Sequence, residues 1–304
     1  MKTLIHKFTT ALMAMAVSSI CVMAQTRTVE HNLSSFDGIE ASDGFRVSIS
    51  LSDNFGVKLT VDDVLESYVE CYVKAGVLHL GLDQKSVPKD LKKQYKGRNS
   101  ADPTLVAVVY LPTLKSLTLT DDSQFISSSR ISSPEFKVSL SGSSEIKDMK
   151  YAGKSCEITV GKNARFTNSE VTAEEDVNVA CDAKAAVSMV CFARNLNVTG
   201  NGSAVLDLKA TVEENVKLIP AGGSSISVSG TSASLEVEGK GSSAKVDASL
   251  LETDKATLSV SGVSVDVKPT ASLELDLGKG ADVSFSGNPV INIIKIQNAS
   301  VTRK

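Results

Sequence analysis

The chain has 304 residues, 42% hydrophobic and 22% charged, with no tryptophan and a formal net charge of −3. That balance gives no footprint for nucleic acid or an anionic membrane. Branched aliphatics with few aromatics suit an all-β protein with a narrow core.

Residues 1–24 read as a secretory signal peptide. Lys2, His6 and Lys7 form a basic start, and ALMAMAVSSICVM follows as an apolar run too short to span a bilayer. Val22-Met23-Ala24 offers a signal-peptidase site, with cleavage between Ala24 and Gln25. A rival reading acylates Cys21 as a lipid anchor, but Ile20 is a poor residue to stand directly before it. Cleavage removes Lys2 and Lys7 and no acids, so 30 basic and 35 acidic residues remain, a net charge of −5. No later apolar run is long enough for a membrane span.

Four cysteines remain after cleavage: Cys71, Cys156, Cys181 and Cys191. Export permits disulfides, and four cysteines allow three full pairings. None has CxxC spacing, and only His31 and His79 accompany them, which argues against zinc. Small buried hydrophobes are the reading preferred over a disulfide.

Residues 25–116 predict an N-terminal β region that caps a repetitive remainder. Phe45, Val47, Ile49 and Leu51 alternate cleanly, then Val57, Leu59 and Val61, then Tyr68–Val73. Ala75-Gly76 marks a turn into Val77–Leu82. The pattern breaks in an insert at 84–102, where Pro88 to Gly97 predicts a short helix. Lys85, Lys89, Lys92, Lys93, Lys96 and Arg98 concentrate positive charge there, and they are the candidate ligand contacts. The plainer reading of these six is a solvated loop. Residues 104–117 then return to β structure.

From 117 to 304 the chain repeats. An apolar-x-apolar pair before a Gly or small polar cluster recurs at Leu117, Val138, Ile158, Val177, Leu196, Val216, Leu235, Leu258 and Leu275. A period of about 20 residues belongs to solenoids. Strands this short bury nothing alone, but stacked as coils they share one interior. The expectation is an all-β parallel β-helix of roughly nine coils, a rod of about 40 Å. A Greek-key sandwich is the competing architecture, but it does not call for the same words at one interval. The stretch Val290–Lys304 predicts a final strand, with Ile291, Ile293, Ile294 and Ile296 as a core cap or a sticky edge, and the Lys and Arg at its tail favour a blocked edge.

The signal peptide, the opening FDGIEASDGFRVSIS with its KAGVLHLGL hairpin, and YLPTLKSLTLT leading into LSGSS-like words occur in that order. With these features the chain resembles the head GIN-domain family of auto-transporter adhesins of Bacteroidota (the DUF2807 type), over roughly residues 30–290. The resemblance implies a secreted β-helical protein with an adhesive or binding role, and it supplies no catalytic residues. The basic 85–98 insert and the cysteines in the 158 and 177 coils depart from the family pattern.

Many β-helices act on polysaccharides, which makes acidic clusters candidate catalysts. Asp121-Asp122 lies at a coil turn, with Lys147 and Asp148 one coil on. Neighbouring carboxylates in a strand point to opposite faces unless the turn kinks. No Gly-x-Ser-x-Gly occurs, and neither His31 nor His79 has an evident partner. The sequons at Asn32, Asn197, Asn201 and Asn298 read as turn residues. The sequence therefore predicts an exported, non-catalytic binding protein of the periplasm, outer membrane or cell surface. It implies no metal or cofactor and a glycan or protein ligand of unknown identity. A carbohydrate-active enzyme and a self-assembling envelope scaffold are the alternatives.

Overall fold

The computed structural model describes residues 25–95, 102–127, 129–241 and 243–304. Ala24, Cys21, Lys96, Gly97 and Arg98 lie outside the described residues. Gln25 is exposed, and its carbonyl accepts a hydrogen bond from the Asp63 amide at 2.8 Å.

The protein is all-β, a β-solenoid of about nine turns roughly 20 residues apart. Among the described residues nine strands, one α-helix and a single 3-10 turn (Glu66–Tyr68) precede the fully regular part. They are β1 (Thr26–Asn32), β2 (Gly38–Ala41), β3 (Arg46–Leu51), β4 (Gly56–Asp62), β5 (Val69–Lys74) and β6 (Val77–Leu82). Helix α1 (Lys89–Gln94), β7 (Leu105–Leu111), β8 (Ser116–Leu119) and β9 (Gln124–Ile126) come next. In later coils one strand wraps two faces, as in Ala186–Gly200, Val205–Pro220, Ser225–Lys240, Lys245–Ser261 and Ser264–Leu277.

Two of the inward columns run the length of the regular coils. Leu117, Val138, Ile158, Val179, Val198, Leu218, Val237, Leu258 and Leu275 stack on one face. Phe125, Ile146, Phe166, Val187, Leu206, Ile226, Val246, Val265 and Val283 stack on the other. This corrects the register read from the sequence. Val177, Leu196, Val216 and Leu235 stack on Cys156, two residues before the Ile158 position. Both sets are buried, because a strand's side chains alternate with period two and a slip of two keeps the inward parity.

The coils whose corners are fully described turn through a left-handed residue. Gly44, Asp122, Gly142, Lys162, Ala183, Gly202, Gly222, Gly262 and Gly280 hold φ between 55° and 82° at this corner. At Gly202 a Cβ would lie 2.9 Å from the Ala183 backbone, so close stacking of corners is the second reason for glycine there. A small buried residue follows inside the corner: Ser144, Ala164, Ala185, Ala204, Ser224, Ala244 and Ala281. The looser second corner absorbs length differences as bulges, for example between Ala193 and Asn195.

The strands expected to cover the first coil divide into two sets. β1, β4 and β5 run antiparallel to their neighbours and close the end. β2–β3 and β6–β7 instead continue the parallel ladders, but out of chain order. β2 lies between β6 and β8, and β3 between β7 and β9. The alternation in β3 ends at Ile49, and Leu51 is half exposed.

Candidate ligand-binding cleft

The loop after β6 is held to the coils by Asp43. One carboxylate oxygen accepts the Leu82 amide at 2.9 Å and the Ser42 hydroxyl at 2.7 Å, and the other accepts the Gln84 side-chain amide at 2.8 Å. Asp83 then caps its own turn. The Ser86 hydroxyl, followed by the Lys85 amide, holds its carboxyl below the ordinary carboxylate range.

Val87, Leu91 and Tyr95 recur every four residues, so α1 lays one apolar edge on the core. Val87 is buried; Leu91 and Tyr95 are half-buried. The Tyr95 hydroxyl donates to the buried Asp62 at 3.1 Å, and the Thr104 amide donates to the same oxygen at 3.1 Å. Burial and then the Asp62 carboxylate push the Tyr95 phenol up to about 12, so it stays a donor.

That helical phase sorts the basic residues. Lys85, Lys89 and Lys93 are exposed to solvent, with Lys93 3.7 Å from Asp90. Lys92 alone among the described four turns inward, its ammonium on the Gln84 carbonyl, and lines a cleft of about 560 Å³ between loop and coils. Arg46 and Gln124, from neighbouring strands β3 and β9, form the opposite wall. Leu65, Leu82 and Val87 supply the apolar floor.

Asp121 and Asp122 also line this cleft. Their φ values are 49° and 65°, so the turn kinks rather than continuing a strand. Lys147 and Asp148 line a separate depression of about 470 Å³, with Phe125 and Ile126. Lys147 is thus not brought into the carboxylate cleft.

Sequence reasoning missed Asp43, Arg46 and Gln84. The one trace in the sequence is the likeness of SDG at 42–44 to TDD at 120–122, and only the ladders, which pair Ala41 with Leu119 and Arg46 with Gln124, make the two equivalent. His79 does have partners, contrary to expectation. The β2–β6 register sets it opposite Glu40, 3.3 Å away, and it stacks on Tyr72 at 5.0 Å. The site lies on an exposed sheet face.

Among the described residues no three His, Cys, Asp or Glu side chains gather to hold a metal ion. Cys156, Cys181 and Cys191 are buried as free thiols, and Cys71 is half-buried. No helix of the described residues is long and apolar enough to cross a membrane.

The described residues form a β-solenoid with a cleft of mixed polar and apolar lining beside α1. The sequence profile described as "Putative auto-transporter adhesin, head GIN domain" matches residues 35–190 and again 157–289, and the chain belongs to that family. Among solved structures, a "putative lipid binding protein" from Parabacteroides distasonis is 20% identical. Its TM-score is 0.42, over 93% of this chain and 98% of its own. A "putative adhesin" from Parabacteroides merdae is 15% identical with a TM-score of 0.43, over 93% and 97%. Another from Parabacteroides distasonis is 16% identical with a TM-score of 0.44, over 93% and 98%. No protein of curated function matches.

Proposed function

We propose that the protein is an exported, non-catalytic binding module of the cell envelope, and that it holds a polyhydroxylated ligand, a glycan, in the cleft behind α1. The observation that carries this reading is the composition of the cleft. Cations from Lys92 and Arg46, carboxylates from Asp121 and Asp122, and amides from Gln124 ring an apolar floor. A few convergent polar groups over apolar walls is what a small-ligand site requires, and sugar hydroxyls both donate and accept. Lys85, Lys89 and Lys93, exposed on the solvent side of the loop, add a positive approach surface rather than direct contacts.

The test is retention on a glycan array with the folded protein and three variants. Lys92→Glu and Arg46→Glu are expected to weaken retention tenfold or more, and Lys93→Glu by less than threefold. A folded wild-type protein retained by no glycan counts against the proposal. Product release from any polysaccharide, lost in Asp122→Ala, overturns its non-catalytic half.

A further inference from the structure

The two ends of the solenoid differ. At the closed end the antiparallel strands β1, β4 and β5 cover the coils. At the other end the strand Val290–Ile296 pairs with Ser264–Leu277 on one side, and among the described residues nothing pairs with its other edge. Leu273, Leu275 and Leu277 are fully buried, whereas Ile291, Ile293 and Ile296, stacked on them, are 43%, 58% and 41% exposed. Val290 and Ile294 on the same strand are 75% and 62% exposed.

We propose that this strand is the contact between two copies of the chain, related by a two-fold axis, each closing the open end of the other. Three observations select that occupant. Val290 pairs with Ser272 and so faces away from the core, which leaves Ile291, Ile293, Ile294 and Ile296 with on the order of 400 Å² of exposed surface at the open end. A standard interface buries about 800 Å² per partner, a little over half of it apolar, so these four isoleucines supply most of the apolar part of one such interface.

The second observation concerns the acceptor. Apart from Tyr72, the exposed residues of β1 and β5 at the closed end are all polar or charged, so an apolar strand finds no matching surface there. Like ends instead set isoleucine against isoleucine, and a two-fold axis closes the contact rather than letting it grow as a filament.

The third is the strand itself. Its register shifts between Ile293 and Lys295, leaving Ile294 as an extra residue on a bulge. A bulge and a lysine interrupt open-ended backbone pairing, yet they leave the isoleucines free to pack. With the two copies reversed about Ile293, the Lys295 of each lies on the opposite side of the axis from the other, so no like charges meet.

Sedimentation velocity on the exported protein, from 1 to 100 µM, tests the pairing. The expected result is a monomer–dimer equilibrium that strengthens or holds in high salt. Ile293→Asp should weaken it at least tenfold. Ile294→Asp, which rests on no residue of the coil beneath, should do the same without touching the core, and Leu250→Asp, an equally exposed site elsewhere, should leave it unchanged. Amides of Val290–Ile296 should gain exchange protection with concentration. A monomer throughout, growth beyond the dimer, or a monomer that floats with phosphatidylethanolamine–phosphatidylglycerol vesicles through these isoleucines would each overturn the proposal.

Discussion

Ala183 and Gly202 occupy the same corner position in neighbouring coils, with φ of 59° and 64°. An alanine side chain is disfavoured in this left-handed region, whereas glycine is not. Ala183→Gly should therefore stabilise the protein by about 1 kcal/mol, and Gly202→Ala should destabilise it by about 1–3 kcal/mol. Urea midpoints at unchanged slope would check the pair. The thiols give a second residue-level prediction. Burial pushes Cys71 up to about 11 and Cys181 and Cys191 up to about 12, and raises Cys156 above those, from an ordinary value of 9.0. The native state thus keeps protons that the unfolded chain releases. Their contribution is complete below pH 9 and falls away as pH rises through 11 to 12. Stability should decline over that alkaline window, and less steeply in Cys181→Ala. Iodoacetamide at neutral pH should label Cys71, Cys156, Cys181 and Cys191 in denaturant without reductant, and spare the three buried ones of these in the native protein. Denatured, unreduced protein that takes no label would instead establish disulfides.

The unit above the residue is the coil, and its borders follow the ladders. Val205 pairs with Ser225 and Leu206 with Ile226, so residues 205–224 are one complete turn. In a linear array each unit contacts only its neighbours. Deleting 205–224 should leave a shorter protein that still melts cooperatively. Deleting 205–214 should abolish the fold, because it joins the wrong faces; circular dichroism with thermal melting separates the two outcomes. The period was legible in the sequence because glycine and the apolar-x-apolar pair are local features, repeated in each coil. The register within the 177–235 coils was not, because inward parity is all that a pattern of period two carries. Ile158 and Val179 stack although Val177 reads equally well. The helix in the basic loop was also legible from Pro88 onward, and its apolar edge at Val87, Leu91 and Tyr95 decides which lysine faces inward. Counting charges could not reveal that phase.

Across the whole molecule one core runs unbroken from Phe36 to Phe285 and changes character along the way. Its large rings, Phe45, Phe125, Phe136, Tyr151 and Phe166, sit toward the closed end, and beyond them aliphatics fill the interior until Phe285. The Tyr151 hydroxyl is accommodated by donating to the Ser155 carbonyl at 2.7 Å. The cleft was illegible from the sequence because its walls come from Arg46, Lys92 and Asp122, which only the displaced order of the first coils brings together. That order has a mechanical consequence. A pull on the last residues peels Ser300–Arg303 and then Val290–Ile296, each bonded along one side only, so the rod unzips a strand at a time. A pull on the first residues strips β1 and then meets β2 and β3, clamped on both sides by later segments of the chain. Two ladders must shear together there before anything gives. A tether at the N-terminus would thus load the strong end of the rod and leave the weak end free.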